Sequence, residues 1–250
     1  MGLILWKREM AVFRKNAPGI VLPGIMLPLI ILIAVGKIMG KSITLMAETD
    51  YFTFAASGIL VITMMTMCTF VTGFDHLTDF KQIKNFEELL AAPFRVRDIV
   101  LGKAMGTATK ALTGGAVLFA VSLLLGAEYH FSLLGAVVGI VSLFLAGMFF
   151  CMFSIVCAVV APNHDAFSGM LNLVVMPLMF FSETFFQRAI LGGYAWLLHI
   201  SPLYYMVNIF RDCALGAVSW KTFLFLLVVL FLDVIMLALA TAVFKKNLID

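Results

Sequence analysis

The fold class that the sequence predicts is all-α: a polytopic membrane protein whose helices cross the bilayer six times. Three observations carry this. Hydrophobic residues make up 63% of the 250 and charged residues 12%, whereas a soluble domain is about half apolar and about a quarter charged. Charged or proline-broken gaps then divide the chain into six apolar segments, 18–36, 52–72, 104–125, 133–160, 166–186 and 223–244, each near the roughly 20 residues that a helix needs to cross hydrocarbon. None shows the period-two alternation of a barrel strand, and backbone in lipid must bond internally, so the spans are helices. One membrane domain, 1–250, accounts for the chain.

Residues 1–17 come first. Charges run throughout them and no small-residue cleavage site comes after, which argues against a secretory signal. Leu3, Trp6, Met10 and Phe13 share one helical face while Lys7, Arg14 and Lys15 occupy the rest, the pattern of an interfacial helix along the inner leaflet. A basic topology anchor is the plainer alternative. Lys7, Arg8, Arg14 and Lys15 precede the first span, Lys81, Lys84, Arg95, Arg97 and Lys103 lie between the second and third, and Lys245 and Lys246 come after the sixth. Six crossings put these three regions on one side. The other side holds Lys37, Lys41, Arg188, Arg211 and Lys221, so the positive-inside rule makes both termini cytoplasmic, in the cell membrane.

Between the second and third spans lies most of the chain's charge. From 79 to 90, Phe80, Ile83, Phe86 and Leu90 form an apolar stripe flanked by Lys81, Lys84, Glu87 and Glu88, and Pro93 ends the helix by pushing Ala92 toward extended backbone. An amphipathic helix at a membrane edge lies on lipid or docks in a protein groove; two carboxylates disfavour an anionic lipid surface and point to docking. "RVRD" makes a basic turn, and "IVLGK" begins the third span. Just upstream, Asp75, His76 and Asp79 read as a hydrated loop capping the next helix, with a cation site as the sharper alternative.

Chemistry-bearing motifs are sparse. Cys68, Cys151, Cys157 and Cys213 are scattered without CxxC spacing, and read as packing residues. Gly102 and Lys103 are followed by Ala104 and lack the upstream glycine of a phosphate-cradling loop, so the sequence predicts no ATP site of its own. No catalytic, metal-binding or cofactor-binding set is predicted, and lipid rather than nucleic acid is the expected surroundings. Asp233 lies near the middle of the sixth span, where a carboxylate must face protein or water; it is either a partner in a helix interface or part of a transport route.

Three stretches, in order, resemble a known family. "FEELLAAPFRVRDIVLGK" is similar to the segment between spans two and three in type-2 permeases of ATP-binding-cassette exporters, "MPLMFFSETFFQ" resembles their Pro-Leu-x-Phe-x-Ser-Gly-x-Phe-Phe-Pro signature, and "SPLYYMVNIFRDCALG" their segment before span six. Glu183 stands where the family often has Gly, and Gln187 where it often has Pro. The resemblance implies a dimer, with an identical copy or a close paralogue, each half bound to a cytoplasmic ATPase subunit that carries ATP and magnesium. Residues 1–17 would be the connecting helix, through Trp6, Met10 and Phe13. Residues 79–91 would be the coupling helix, through Phe80, Ile83, Lys84, Phe86, Glu87, Glu88 and Leu90, with Asn163, His164 and Asp165 as a lesser contact. Residues 185–211, interrupted by Gly192, Gly193 and Pro202, would form re-entrant helices before the last span. The translocation path would then run by Pro177, Phe181, Glu183, Phe185, Phe186, Pro202, Tyr204, Tyr205 and Arg211. Glu183 would pair with Arg188 or Arg211, or meet a polar or cationic part of the substrate. The implied function is the non-enzymatic membrane half of an exporter of drugs, peptides, lipids or glycans. A permease for lipid-linked polysaccharide is a second reading, and an intramembrane enzyme or passive channel without an ATPase a third.

Overall fold

The computed structural model describes residues 2–38, 50–81, 95–186 and 188–248, and among these it is helical with no strand. Helix α1 spans Gly2–Ile31 and continues as a π-helix over Leu32–Ile38. At Asn16, where the expected interfacial helix gives way to the first span, φ −134° and ψ 28° leave the helical region, so α1 consists of two helical segments joined at a kink. Pro18, Pro23 and Pro28 lie inside α1; each lacks the N–H that would close a helical turn.

Helix α2, Tyr51–Thr66, is buried at every position, as a helix apolar on all sides should be. A π turn at Met67–Val71 joins it to α3, Thr72–Lys81. Buried threonines fit because they bond locally: Thr63 donates to the Ile59 carbonyl at 2.8 Å and Thr69 to that of Met65 at 2.7 Å. The second span thus extends to Phe80, and Asp75, His76 and Asp79 lie on a helix rather than in the expected hydrated loop.

Helices α4, Val96–Leu124, and α5, Leu133–Val160, come next. The start of α4 takes in the predicted basic turn. Ser132 caps α5 by accepting from the Gly135 N–H at 2.9 Å, and α5 has the bounds expected of the fourth span. Helix α6 covers His164–Phe180, 17 residues, about 26 Å at 1.5 Å per residue; its N-cap Asn163 accepts from Ala166 N–H at 2.8 Å. The predicted fifth span, 166–186, thus loses its last six positions to turns and bends. A 3₁₀ helix, Arg188–Ile200, a short helix α7, Pro202–Ala214, and α8, Trp220–Leu248, complete the chain.

Five helical runs among the described residues are long and apolar enough to cross a membrane: Gly2–Gly36, Tyr51–Phe80, Val96–Leu124, Leu133–Val160 and Trp220–Asn247. Around the buried α2, α1 packs on α4, α4 on α5, and α5 on α8 and α7. Gly102 and Gly106 let α1 seat on α4: a Cβ at Gly102 would come within 2.7 Å of the Leu5 Cβ, and one at Gly106 within 2.9 Å of the Glu9 Cβ. This is the small-residue spacing that brings helices together in lipid.

Candidate functional site

Two polar constructions stand out from the apolar bundle, one at each end of the α2–α3 run. The first forms where α6 ends. Ser182 donates to the Met179 carbonyl at 2.6 Å and lies 2.8 Å from the Thr184 hydroxyl, and both side chains are buried. Between them Glu183 adopts φ 60°, the one positive value among the described non-glycine residues. That left-handed conformation is one glycine takes at little cost and other residues rarely, which gives a physical reason for a glycine-preferring position.

The Glu183 carboxylate ties the turn to the 3₁₀ helix and to α7. Its Oε1 accepts from the Arg188 main-chain N–H at 2.9 Å and its Oε2 from Asn208 Nδ2 at 3.1 Å. Arg211 donates to the Glu183 main-chain carbonyl at 2.8 Å. The expected side-chain ion pair with Arg188 or Arg211 is thus replaced by hydrogen bonds in which the backbone takes part, because the left-handed turn points the carbonyl of Glu183 toward α7.

Arg211 is 6% exposed. Besides Glu183, its guanidinium reaches Ser57 Oγ at 3.3 Å and the Phe54 carbonyl at 3.4 Å, and it lies 3.7 Å from the centre of the Phe54 ring. Carbonyl dipoles and a π face thereby offset the cost of burying the charge. On α2, a Cβ at Gly58 would meet the Thr184 side chain at 2.8 Å and its Cα at 3.0 Å, so the glycine admits the turn. Tyr51 donates to the Phe185 carbonyl at 3.2 Å. Pro177, Phe181 and Phe186 are exposed, Phe185 and Pro202 half-buried. Tyr204 is buried, its ring 5.0 Å from that of His199 and 5.4 Å from that of Tyr205, which packs at 5.1 Å on Phe225. Tyr204 and Arg211 are buried and brace the turn against α2 and α7.

The second construction is a charged seam. Lys103 pairs with Asp79 at 2.6 Å and Lys110 with Glu9 at 2.5 Å, while Trp6 Nε1 donates to Thr109 Oγ1 at 3.1 Å. Both lysines are buried. His76 lies 3.5 Å from Thr107 Oγ1 and 3.4 Å from Cys151 Sγ. The seam clamps α1 and α3 to α4. It directly precedes residues 82–94, where Ile83, Lys84, Phe86, Glu87, Glu88 and Leu90 fall outside the described residues. Phe80 is buried against Phe244, ring centres 5.6 Å apart, with Lys103 above it at 5.6 Å. Of the connecting-helix residues, Phe13 is buried, Trp6 and Met10 half-buried, and Leu3 59% exposed. Asn163, His164 and Asp165 are exposed, and the His164 ring stacks on Phe74 of α3 at 6.0 Å. Among the described residues no group of three or more His, Cys, Asp or Glu could hold a metal ion.

The seam residues Glu9, Lys103 and Lys110 were not singled out from sequence as a set. A signal existed: Lys103, Thr107 and Lys110 repeat at four and three residues, a polar stripe on one face of α4.

A sequence model of the family described as ABC-2 type transporter matches residues 2–215. The chain belongs to that family. Nodulation protein J of Rhizobium leguminosarum bv. trifolii is 30% identical over 217 residues, covering 86% of this chain and 81% of the relative. Nodulation protein J of Rhizobium meliloti (strain 1021) is 27% identical over 216 residues, with the same two shares. The inner membrane transport permease YadH of Escherichia coli (strain K12) is 25% identical over 214 residues, covering 85% and 82%. The permease is thus a multi-pass membrane transport protein and not itself an enzyme, with its two polar constructions inside the matched region.

Proposed function

We propose that the permease is the membrane subunit of an ATP-driven exporter, coupled to a separate cytoplasmic ATPase that carries ATP and magnesium. The observation that carries this reading is the seam. Residues 82–94 follow α3 and precede α4 in the chain, helices that Asp79 and Lys103 join, and α1 is joined to α4 by Glu9 and Lys110. A force applied to 82–94 therefore moves α1, α3 and α4 together. In this reading 79–91 is the coupling segment, with Glu87 and Glu88 as contacts to the ATPase, Phe80 as its internal support, and Asn163–Asp165 as a lesser contact.

The remaining architecture agrees with the same reading. Both termini lie in the cytoplasm of a cell with the permease in its inner membrane, and α6 is the fifth of six spans, short enough to end at the Glu183 turn. The 3₁₀ helix and α7 enter the opposite leaflet and return, their polar backbone shielded by protein as membrane depth requires. A second permease copy covers α1 and α6. Helix α6 buries only Phe167, Leu171, Val175 and Met179, leaving Leu173 78%, Met176 53% and Phe180 61% exposed. Asn172 is exposed among them, and a polar side chain on a hydrocarbon-facing stripe calls for a partner helix.

Purification of the full-length permease with its ATPase tests the coupling. Glu87→Lys with Glu88→Lys should abolish copurification or leave ATP hydrolysis insensitive to transport, with membrane insertion unchanged. Normal binding and normally coupled hydrolysis in that variant would refute the assignment, as would full transport by a permease purified alone.

A further inference from the structure

A groove of 460 Å³ opens between α4 and α5. Its floor is Leu60 of α2 and Phe210 of α7, and its walls include Leu112 and Ala116 on α4 and Ala136 and Ile140 on α5. It runs along two turns of each helix, about 10 Å. One end is closed by aromatic residues of the connection between the two helices and of their neighbours: Phe119 of α4 stacks on Tyr129 at 5.0 Å, and Phe131 meets Tyr129 at 5.8 Å and Phe210 of α7 at 6.1 Å. These rings wedge the helix ends apart. The small side chains of Ala116 and Ala136 then leave the space between them unfilled.

The surroundings decide what fills it. Both helices belong to the runs able to cross a membrane, and the groove lies within the length of each, so its mouth faces hydrocarbon. No polar side chain among the described residues lines it, and water needs two to four polar partners to reside in a cavity. Left empty, the lining would forfeit its dispersion contacts. An alkyl chain of the surrounding bilayer satisfies both conditions.

We propose that the groove is a site for one resident phospholipid per protomer, an acyl chain lying between α4 and α5 and the headgroup level with the connection 125–132. That connection carries exposed Glu128 and His130 and no Lys or Arg. Tyr129 lies 3.0 Å from Ser122 Oγ, and burial pushes its phenol up to about 12, so it stays neutral at the rim. One carboxylate and no side-chain cation other than histidine favour a headgroup bearing an ammonium, as in phosphatidylethanolamine, over an anionic one.

The test uses full-length permease in nanodiscs of phosphatidylethanolamine and phosphatidylglycerol, with a photoactivatable diazirine on the acyl chain of one lipid at a time. Labelled peptides are mapped by mass spectrometry. The ethanolamine probe should concentrate on Ala116, Ile140 and Leu143, well above Val137 and Leu227, which are as exposed as Ile140 but lie outside the groove. Ala116→Phe, or Ala136→Leu if the first variant is poorly inserted, should cut groove labelling roughly tenfold by excluding about two methylene groups. Glu128→Gln should narrow the preference for ethanolamine over glycerol. Even labelling of groove and control positions in the wild type overturns the site, and so does labelling unchanged by filling. Equal or stronger labelling by the glycerol probe overturns the headgroup assignment.

Discussion

Glu183 offers the sharpest test of how the turn is held, because its side chain and its backbone act in opposite directions. Its φ of 60° costs a non-glycine residue about 1 kcal/mol, a cost that Glu183→Gly removes and Glu183→Ala retains. Both substitutions lose the bonds from Arg188 N–H and Asn208 Nδ2, together about 2–3 kcal/mol for a half-exposed carboxylate. Glu183→Gln keeps an amide oxygen for the Arg188 N–H, but its new amide donor can be met only if Asn208 turns its own amide and gives up the bond from Nδ2 to the Tyr204 carbonyl at 2.9 Å, so its loss is about 1 kcal/mol.

The expected order of stability is therefore wild type, Gln, Gly, Ala, with Gly above Ala by about 1 kcal/mol. For a chain of this length that gap is about 2–4 °C in melting temperature. Thermal unfolding of the four proteins in one detergent, monitored by loss of the monodisperse peak, reads it. An alanine variant as stable as the glycine variant would refute the strained-turn account. A glutamine variant as unstable as alanine, rescued by neutralising Arg211, would restore the side-chain ion pair expected from sequence.

The seam and the mid-span carboxylate give three more predictions. Glu9→Gln should destabilise by about 3 kcal/mol because buried Lys110 loses its partner, and adding Lys110→Met should recover most of that loss; a double-mutant cycle by thermal melting checks it, and additive losses would refute the pairing. Gly102→Val should separate α1 from α4 at a cost of about 1–3 kcal/mol, visible as a changed Trp6 fluorescence signal against a Trp6→Phe control. Both carboxylate oxygens of Asp233 are buried without a partner among the described residues, on the α8 face that also buries Val229, Met236 and Ala240; Asp233→Leu should raise the melting temperature, removing about 1–3 kcal/mol of unmet desolvation, and a lowered one would show that the carboxylate has a partner that holds it.

How far the sequence could be read depended on where each side chain finds its partner. Helix α5 was legible to the residue because it carries no charge, a serine caps it and Pro162 lies just beyond its end. Helix α3 was not, since Asp75, His76 and Asp79 look solvated until Lys103 and Cys151 arrive from other helices. Burial of Phe80 was hidden for the same reason: Phe244, its ring partner, lies 164 positions away in the chain. At the turn, the departure at Glu183 marked the position, but the roles of Gly58 and Ser57 depend on a tertiary approach that no local pattern encodes. The boundary between the N-terminal helix and the first span was legible at Asn16 and Pro18, since the backbone leaves the helical region at Asn16, but the seating of residues 2–9 on Gly102 and Gly106 was not, because those glycines lie on another helix.

The two polar constructions are joined by one continuous element. From Tyr51 to Phe80 the chain is helical over 30 residues, about 45 Å, with Asp79 clamped to α4 near one end and Phe54, Ser57 and Gly58 holding Arg211 and the Glu183 turn near the other. Nearly all of its length is buried, so it moves with its neighbours or not at all. The exception to its regularity is the π turn at Met67–Val71, where the Thr72 main-chain N–H donates to the Met67 carbonyl and Thr72 Oγ1 lies 3.2 Å from the carbonyls of both Met67 and Cys68. A single hydroxyl shared between two carbonyls can settle on either. The rod thus departs from α-helical geometry at a turn between the seam and the Glu183 turn, where a side-chain hydroxyl supplements the main-chain bonding.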